Sequence, residues 1–184
     1  MKPYLFLALL TIAAIGFQLE PIHSWLIWHR SDIFAGQWWR ILSGNFTHTN
    51  WIHLAMNLAG LWIIAAIFRP DTLRLLAPML LLGSVVGIAL FATDLQTYVG
   101  LSAILHGLFG YFATREALHG RTSSWLLVVG LLFKVGWEQW FGPSSSTETW
   151  IEASVAIDAH LVGALSGIGM ALLEFLLHKK RPSQ

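Results

Sequence analysis

Ser102 stands two residues after Gly100 in the stretch YVGLSAILHGLFGY, at the head of an apolar, glycine-dotted run. The first turn of a helix has backbone N–H groups without carbonyl partners and favours negative charge, so a hydroxyl placed there is well sited as a nucleophile. Histidines recur in the apolar runs. THTNWIHLAMNLAG carries His48 and His53, and Asn57 lies four residues after His53, on the same helix face. His106 follows Ser102 by one turn, and His160 lies in IDAHLVGALSG. Polar groups inside apolar spans are expensive and therefore read first as functional. Taken one at a time, each has a structural alternative: a histidine as an interhelical hydrogen bonder, a serine bonded to the carbonyl one turn back. Taken together they offer a nucleophile, a base and oxyanion donors.

Two other groups bear on that chemistry. Lys134 and Glu138 are four apart in a later apolar run, as a mutually neutralised pair, a snorkelling lysine, or a polar contact to a substrate. A metal-binding or transport protein built on His48, His53, His106 and His160 is the competing chemistry. No HExxH pair occurs, no carboxylate is expected among these histidines within the spans, and Asn57 is a poor ligand, so no metal is expected. Asp158 is two residues from His160 and points to a different helix face.

The elements that must position these residues are membrane helices. Of 184 residues 55% are hydrophobic and 11% charged, with ten tryptophans and a mean hydropathy of +0.62. A soluble domain carries roughly 25% charged residues, so most of this chain belongs in a bilayer. A formal net charge of +1 gives no reason to expect nucleic acid, and the absence of cysteine excludes disulfide and thiolate chemistry. Apolar runs of spanning length cover roughly residues 3–18, 51–68, 72–92, 102–119, 123–141 and 154–177. The first could instead be a signal peptide, with Lys2 before a short apolar core, although no convincing cleavage site follows. No repeat or second domain is visible, which predicts one domain over residues 1–184, an all-α bundle of six spans.

If the helices alternate, Lys2, Arg69, Arg74, Arg115, Arg121, Lys179, Lys180 and Arg181 fall on one side, against Arg30, Arg40 and Lys134 on the other. An excess of basic residues marks the cytoplasmic side, which predicts both termini there. The long first connection, residues 19–50, interleaves tryptophans and Phe34 with Arg30 and Arg40, as suits a segment lying partly in the membrane interface. Small residues allow close helix approach: Gly163 and Gly167 form a GxxxG after His160, and Ala103, Gly107 and Gly110 line one face beside Ser102. Their meeting would bring Ser102 and His160 within hydrogen-bonding reach.

With these residues in place the chain resembles the rhomboid family of intramembrane serine proteases. The resemblance rests on WWRILSGNFTH in the first connection, HLAMN opening the second span, GLS at the fourth and AHLVGALSG in the sixth, in that order from residue 38 to residue 167. The short chain, GLSAILHG and KVGWEQ look most like the rhombosortase subgroup. The resemblance implies a six-helix rhomboid-like bundle, integral to a bacterial-type inner membrane, with a water-filled cavity open to the extracytoplasmic side. It implies Ser102 as nucleophile and His160 as base, His53, Asn57 and the Ser102 backbone N–H as oxyanion donors, and Gly100, His48, His106 and Gly163 in support. No third acid and no cofactor are implied. Two departures stand out: Ala103 replaces a glycine common after the nucleophile, and His106 replaces a tyrosine common four residues after it. His106 is therefore a rival base, though a partner on a separate helix is easier to aim at Oγ. Lys134 and Glu138 lie on the fifth-helix side, where such proteases are thought to admit substrate.

For that subgroup the implied partners are membrane lipids and single-span proteins that end in a glycine-glycine motif, an apolar helix and a basic tail, cut near the motif. A catalytically inactive relative that binds membrane proteins is the rival reading within the family.

Overall fold

Short polar residues placed ahead of apolar runs set the helix starts. In the computed structural model, which describes residues 3–179, six long helices carry the apolar runs among the described residues. They are α1 (Pro3–Gly16), α2 (Trp51–Phe68), α3 (Thr72–Ala89), α4 (Ser102–Leu118), α5 (Ser124–Phe141) and α6 (Ile157–Lys179). Asn50 caps α2 by accepting the His53 N–H at 2.8 Å, and Asp71 caps α3 by accepting that of Arg74 at 2.9 Å. α2 ends on Arg69 in the left-handed region, and α3 runs on into a 3-10 turn, Leu90–Ala92. The helices fall where the apolar runs predict them, with ends displaced by no more than a turn.

By length and composition, three of the described helical stretches can cross a membrane: Trp51–Phe68, Thr72–Ala92 and Ile157–Lys179. The first helix is apolar but shorter, with Tyr4–Gly16 as its apolar stretch. α4 is the central helix, packed against α2, α3, α5 and α6, and most of its residues are buried. A helix surrounded by protein has no need of an apolar outer face, so it can carry Ser102, His106 and Thr114 at the cost of hydropathy. α5 likewise carries Lys134 and Glu138 on one side while Leu126, Val129 and Phe133 are exposed on the other. The basic residues Lys2, Lys180 and Arg181, used in predicting orientation, lie outside the described residues.

The core around α4 contains Leu61, Leu75, Met79, Leu82, Ile104 and Leu108, all essentially sealed from solvent. Leu7 of α1 joins this cluster, and Thr11 accepts a hydrogen bond from the Trp62 indole at 3.1 Å.

The first connection departs from a simple interfacial segment. It folds into short helices at Ile22–Leu26, Arg30–Phe34 and Arg40–Ser43, a 3-10 turn at Gly44–Phe46 and a strand β1 (Trp28–His29). β1 pairs antiparallel with β2 (Thr97–Tyr98), Trp28 opposite Tyr98, so the fold is not purely α. Trp28 is fully buried, its indole donating to the Gly87 carbonyl at 3.0 Å. Arg30 gives its guanidinium to the carbonyls of Leu90 (3.0 Å) and Leu95 (2.9 Å), in the turn and loop that follow α3. Arg40 is buried and binds the carbonyls of Ser24 (3.0 Å) and Ile27 (2.7 Å). Trp25, Phe34, Trp38 and Trp39 remain exposed, as aromatics at an interface would be. The two arginines therefore serve as internal clamps, and only part of the aromatic set faces outward.

Candidate active site

The site begins with a close approach of two backbones. A β-carbon on Gly163 would collide with the Ala103 carbonyl oxygen, and one on Gly167 with the Gly107 carbonyl oxygen, so α4 and α6 touch main chain to main chain. That contact brings together two residues 58 positions apart in the chain: Ser102 Oγ lies 2.9 Å from His160 Nε2. Ser102 is the first residue of α4, and Gly100 before it has φ +124°, a conformation that favours glycine. The turn is held from both sides, since the Gly100 N–H donates to the Gly44 carbonyl (3.2 Å) and the Tyr98 hydroxyl donates to the Gly100 carbonyl (2.9 Å). Burial raises the Tyr98 pKa, so the phenol remains a donor. The same glycine makes room for His53: a β-carbon there would lie 2.9 Å from His53 Nε2.

His53 and Asn57 lie one above the other on α2, facing Ser102 across a cavity of about 570 Å³ that His106, His160 and Tyr98 also line. The Asn57 side-chain N–H₂ gives one proton to the His53 carbonyl at 3.2 Å. Thr49 holds the other side of the His53 ring, with its backbone N–H 3.4 Å and its Oγ1 3.1 Å from Nδ1. Thr49 also donates to the Ile151 carbonyl, and Asn50 to that of Trp150 at 2.9 Å, which fastens the segment between α5 and α6 over the cavity. His48 is buried edge-on to His53, with ring centroids 5.0 Å apart, and neither of its ring nitrogens has a hydrogen-bond partner among the described residues. Burial pushes its pKa down to about 3, so the ring is neutral.

His106 does not reach the serine hydroxyl. Its Nδ1 donates to the Ser102 backbone carbonyl at 2.7 Å, and its Nε2 accepts from the Lys134 ammonium. Its ring lies nearly flat on that of His160, centroids 4.2 Å apart and planes 18° from parallel. His106 thus stacks on His160, and of the two rings only that of His160 faces Oγ.

The expectation that no carboxylate lies among the membrane histidines is overturned. Glu138 Oε2 is 3.0 Å from His160 Nδ1 and 2.8 Å from Lys134 Nζ. His106, Glu138 and His160 each offer an atom within 4.8 Å of the others, a donor set of the kind that binds transition metals. Lys134 Nζ contacts all three, so the chain itself supplies the cation there. Neither Lys134 nor Glu138 lines the main cavity; Lys134 lines a second groove between α2, α4 and α5 with Ile64, Leu105 and Leu127.

Sequence reasoning missed Thr49 as the neighbour of His53, although its spacing of four residues was available as a signal. It also missed Glu138 as the neighbour of His160, for which the sequence offers none: the two lie on different helices, 22 residues apart.

Comparison with known proteins follows the same residues. The family described as "Rhomboid domain" matches residues 35–177. Rhomboid proteases GlpG of Salmonella choleraesuis (strain SC-B67), Salmonella newport (strain SL254) and Salmonella typhi are each 26% identical over 172 residues, covering 88% of this chain and 58% of theirs. The chain therefore spans less than two thirds of the length of these curated relatives.

Proposed function

Since the chain belongs to the rhomboid family, we propose that it is an intramembrane serine protease in which Ser102 and His160 form the catalytic dyad. The observation that carries this reading is the 2.9 Å contact between Ser102 Oγ and His160 Nε2 at the wall of a cavity between apolar helices. As Oγ attacks the scissile carbonyl, His160 Nε2 takes its proton, and later passes it to the leaving amine. The carbonyl oxygen becomes an oxyanion facing the second Asn57 amide proton, the Ser102 backbone N–H and His53. For His53 the productive tautomer accepts the Thr49 N–H at Nδ1 and presents Nε2–H to the cavity. Asn57→Ala and His53→Ala should each lower turnover by about 100- to 1000-fold with little change in substrate affinity, since the lost bond strengthens only as charge develops. Steady-state cleavage in detergent micelles measures both constants.

Six helices span the membrane in this reading, with both termini cytoplasmic. Arg69, Arg74, Arg115, Arg121 and Lys179 gather at that end, and the cavity opens toward the other, outside face of a bacterial-type inner membrane. Residues 1–184 act as one domain. The substrates are secreted proteins tethered by a C-terminal apolar helix behind a glycine-glycine motif and followed by a basic tail, as in rhombosortases. The GLSAILHG element and the pairing of Lys134 with Glu138 in KVGWEQ support this narrower assignment. Glycine at the cleavage point lowers the cost of unwinding a substrate helix for attack.

The test is a reporter with such a tail, coexpressed with this chain. Release of the reporter by wild type and not by Ser102→Ala is the expected result. Release that persists with Ser102→Ala removes the protease reading. Failure to cut this tail, alongside Ser102-dependent cutting of a single-span reporter without the motif, removes the subgroup assignment alone.

A further inference from the structure

The dyad leaves one question open at His160: what keeps its proton on Nδ1, so that Nε2 is free to accept from serine? A lone imidazole can turn or change tautomer. Stacking on His106 fixes the plane of the ring, with centroids 4.2 Å apart, but leaves it free to rotate within that plane. The group at Nδ1 decides the rest.

Two side chains face Nδ1, both from α5: Glu138 Oε2 at 3.0 Å and Lys134 Nζ at 3.4 Å. An ammonium only donates and a carboxylate only accepts, so an Nδ1 that carries a proton has Glu138 as its partner. Lys134 is in turn spoken for, since it donates to the same Oε2 at 2.8 Å and to His106 Nε2. The hydrogen bonds close a ring: Ser102 O–H to His160, His160 Nδ1–H to Glu138, Lys134 to Glu138 and to His106, and His106 Nδ1–H back to the Ser102 carbonyl. The ring ties α4, α5 and α6 together at the reacting atom. Glu138 and His160 are both largely enclosed, at 13% and 8% side-chain exposure, so little water competes for the bond.

Resting on the Ser102–His160 reading above, we propose that Glu138 is the third member of this site, a positioning residue that turns the dyad into a serine–histidine–glutamate relay of orientation. It holds the Nδ1–H tautomer in the resting enzyme, aims Nε2 at Oγ, and lies against the imidazolium that forms when the serine proton moves. The proton stops at Nε2 and Glu138 stays a carboxylate throughout, so its part is orientation and charge compensation. Lys134 secures the carboxylate by holding the same oxygen. Asp158, the acid nearest to His160 in sequence, makes no contact with its ring among the hydrogen bonds and ion pairs of the described residues.

Glu138→Gln is the informative variant, because it keeps the shape but lets an amide N–H face Nδ1 and so favours the tautomer with Nε2 already protonated. Full-length protein in micelles is compared for kcat, KM, thermal midpoint and the rate at which a fluorophosphonate labels Ser102. Labelling needs the activated serine but no peptide substrate. The expected result is an unchanged midpoint and KM, and kcat and labelling both lowered by about 100- to 10,000-fold. Glu138→Asp should recover part, but not all, of both rates. Wild-type labelling by Glu138→Gln overturns the proposal, as does a defect confined to KM, which would mark a substrate contact. Should the glutamine variant fail to fold, Glu138→Asp carries the test: a carboxylate one methylene short slows labelling at constant KM, and an undiminished rate overturns the proposal. Ser102→Ala separates the two levels. If it remains unlabelled and inactive while Glu138→Gln is fully active, only the role of Glu138 falls; if it still cleaves, the dyad falls and this inference with it.

Discussion

Ser102→Ala and His160→Ala each lower kcat by about 10⁴- to 10⁶-fold, and the double variant is no slower than the worse of the two. In the proposed mechanism the two atoms, 2.9 Å apart, are partners in a single proton transfer, so removing either abolishes the same event. Residues that act as a unit show this lack of additivity in other serine proteases. What remains in the double variant is the contribution of the oxyanion donors and of substrate binding, and KM should be close to wild type in all three. Equal kcat losses that multiplied in the double variant would mean that Ser102 and His160 act in separate steps. His106→Ala should be milder, because its ring bonds the Ser102 carbonyl and not Oγ; loss as deep as that of His160→Ala would make it a second base.

Gly163→Ala carries a large effect on stability, although it adds one methyl group. Its β-carbon has no open direction: it would meet the Ala103 carbonyl oxygen, carbon and α-carbon of the facing helix. Backbone cannot rotate aside as a side chain can, so α4 and α6 must separate. Overpacking of this kind costs about 1–3 kcal/mol, and the movement also pulls Oγ from Nε2, where an ångström can cost about 100-fold in rate. Gly169→Ala, on the same helix but with nothing within 4 Å of the added carbon, should leave both unfolding midpoint and cleavage at wild-type levels. Equal behaviour of the two variants in a denaturation series would show that the interface is looser than the contact requires.

The candidate site residues are legible in the sequence because an apolar setting makes them conspicuous. A serine at the start of an apolar run, HLAMN and a histidine inside another run are costly in lipid, so their presence needs a reason. Helix positions are legible for the same cause: long apolar runs bounded by Asn50 and Asp71 admit few other folds. The GxxxG of Gly163 and Gly167 even indicates which two helices touch.

Legibility stops where direction and register between helices decide the outcome. The clamp made by Arg30 on the end of α3 could not be read from residues 19–50, since its partners are main-chain carbonyls some 60 residues away. The pairing of β1 with β2 is two residues long and leaves no periodic pattern to find. In sequence Glu138 is half of a neutral pair with Lys134, and spacing carries nothing more about it.

The sequence by itself therefore determined the apolar character, the helices and the candidate site residues, because each follows from local composition and spacing. The tertiary structure alone decided where His106 turns, to the Ser102 carbonyl and Lys134, and which acid faces His160. Spacing along one helix fixes neighbours on that helix, whereas Ser102, Glu138 and His160 stand on three helices whose relative rotation is set by packing across the whole bundle.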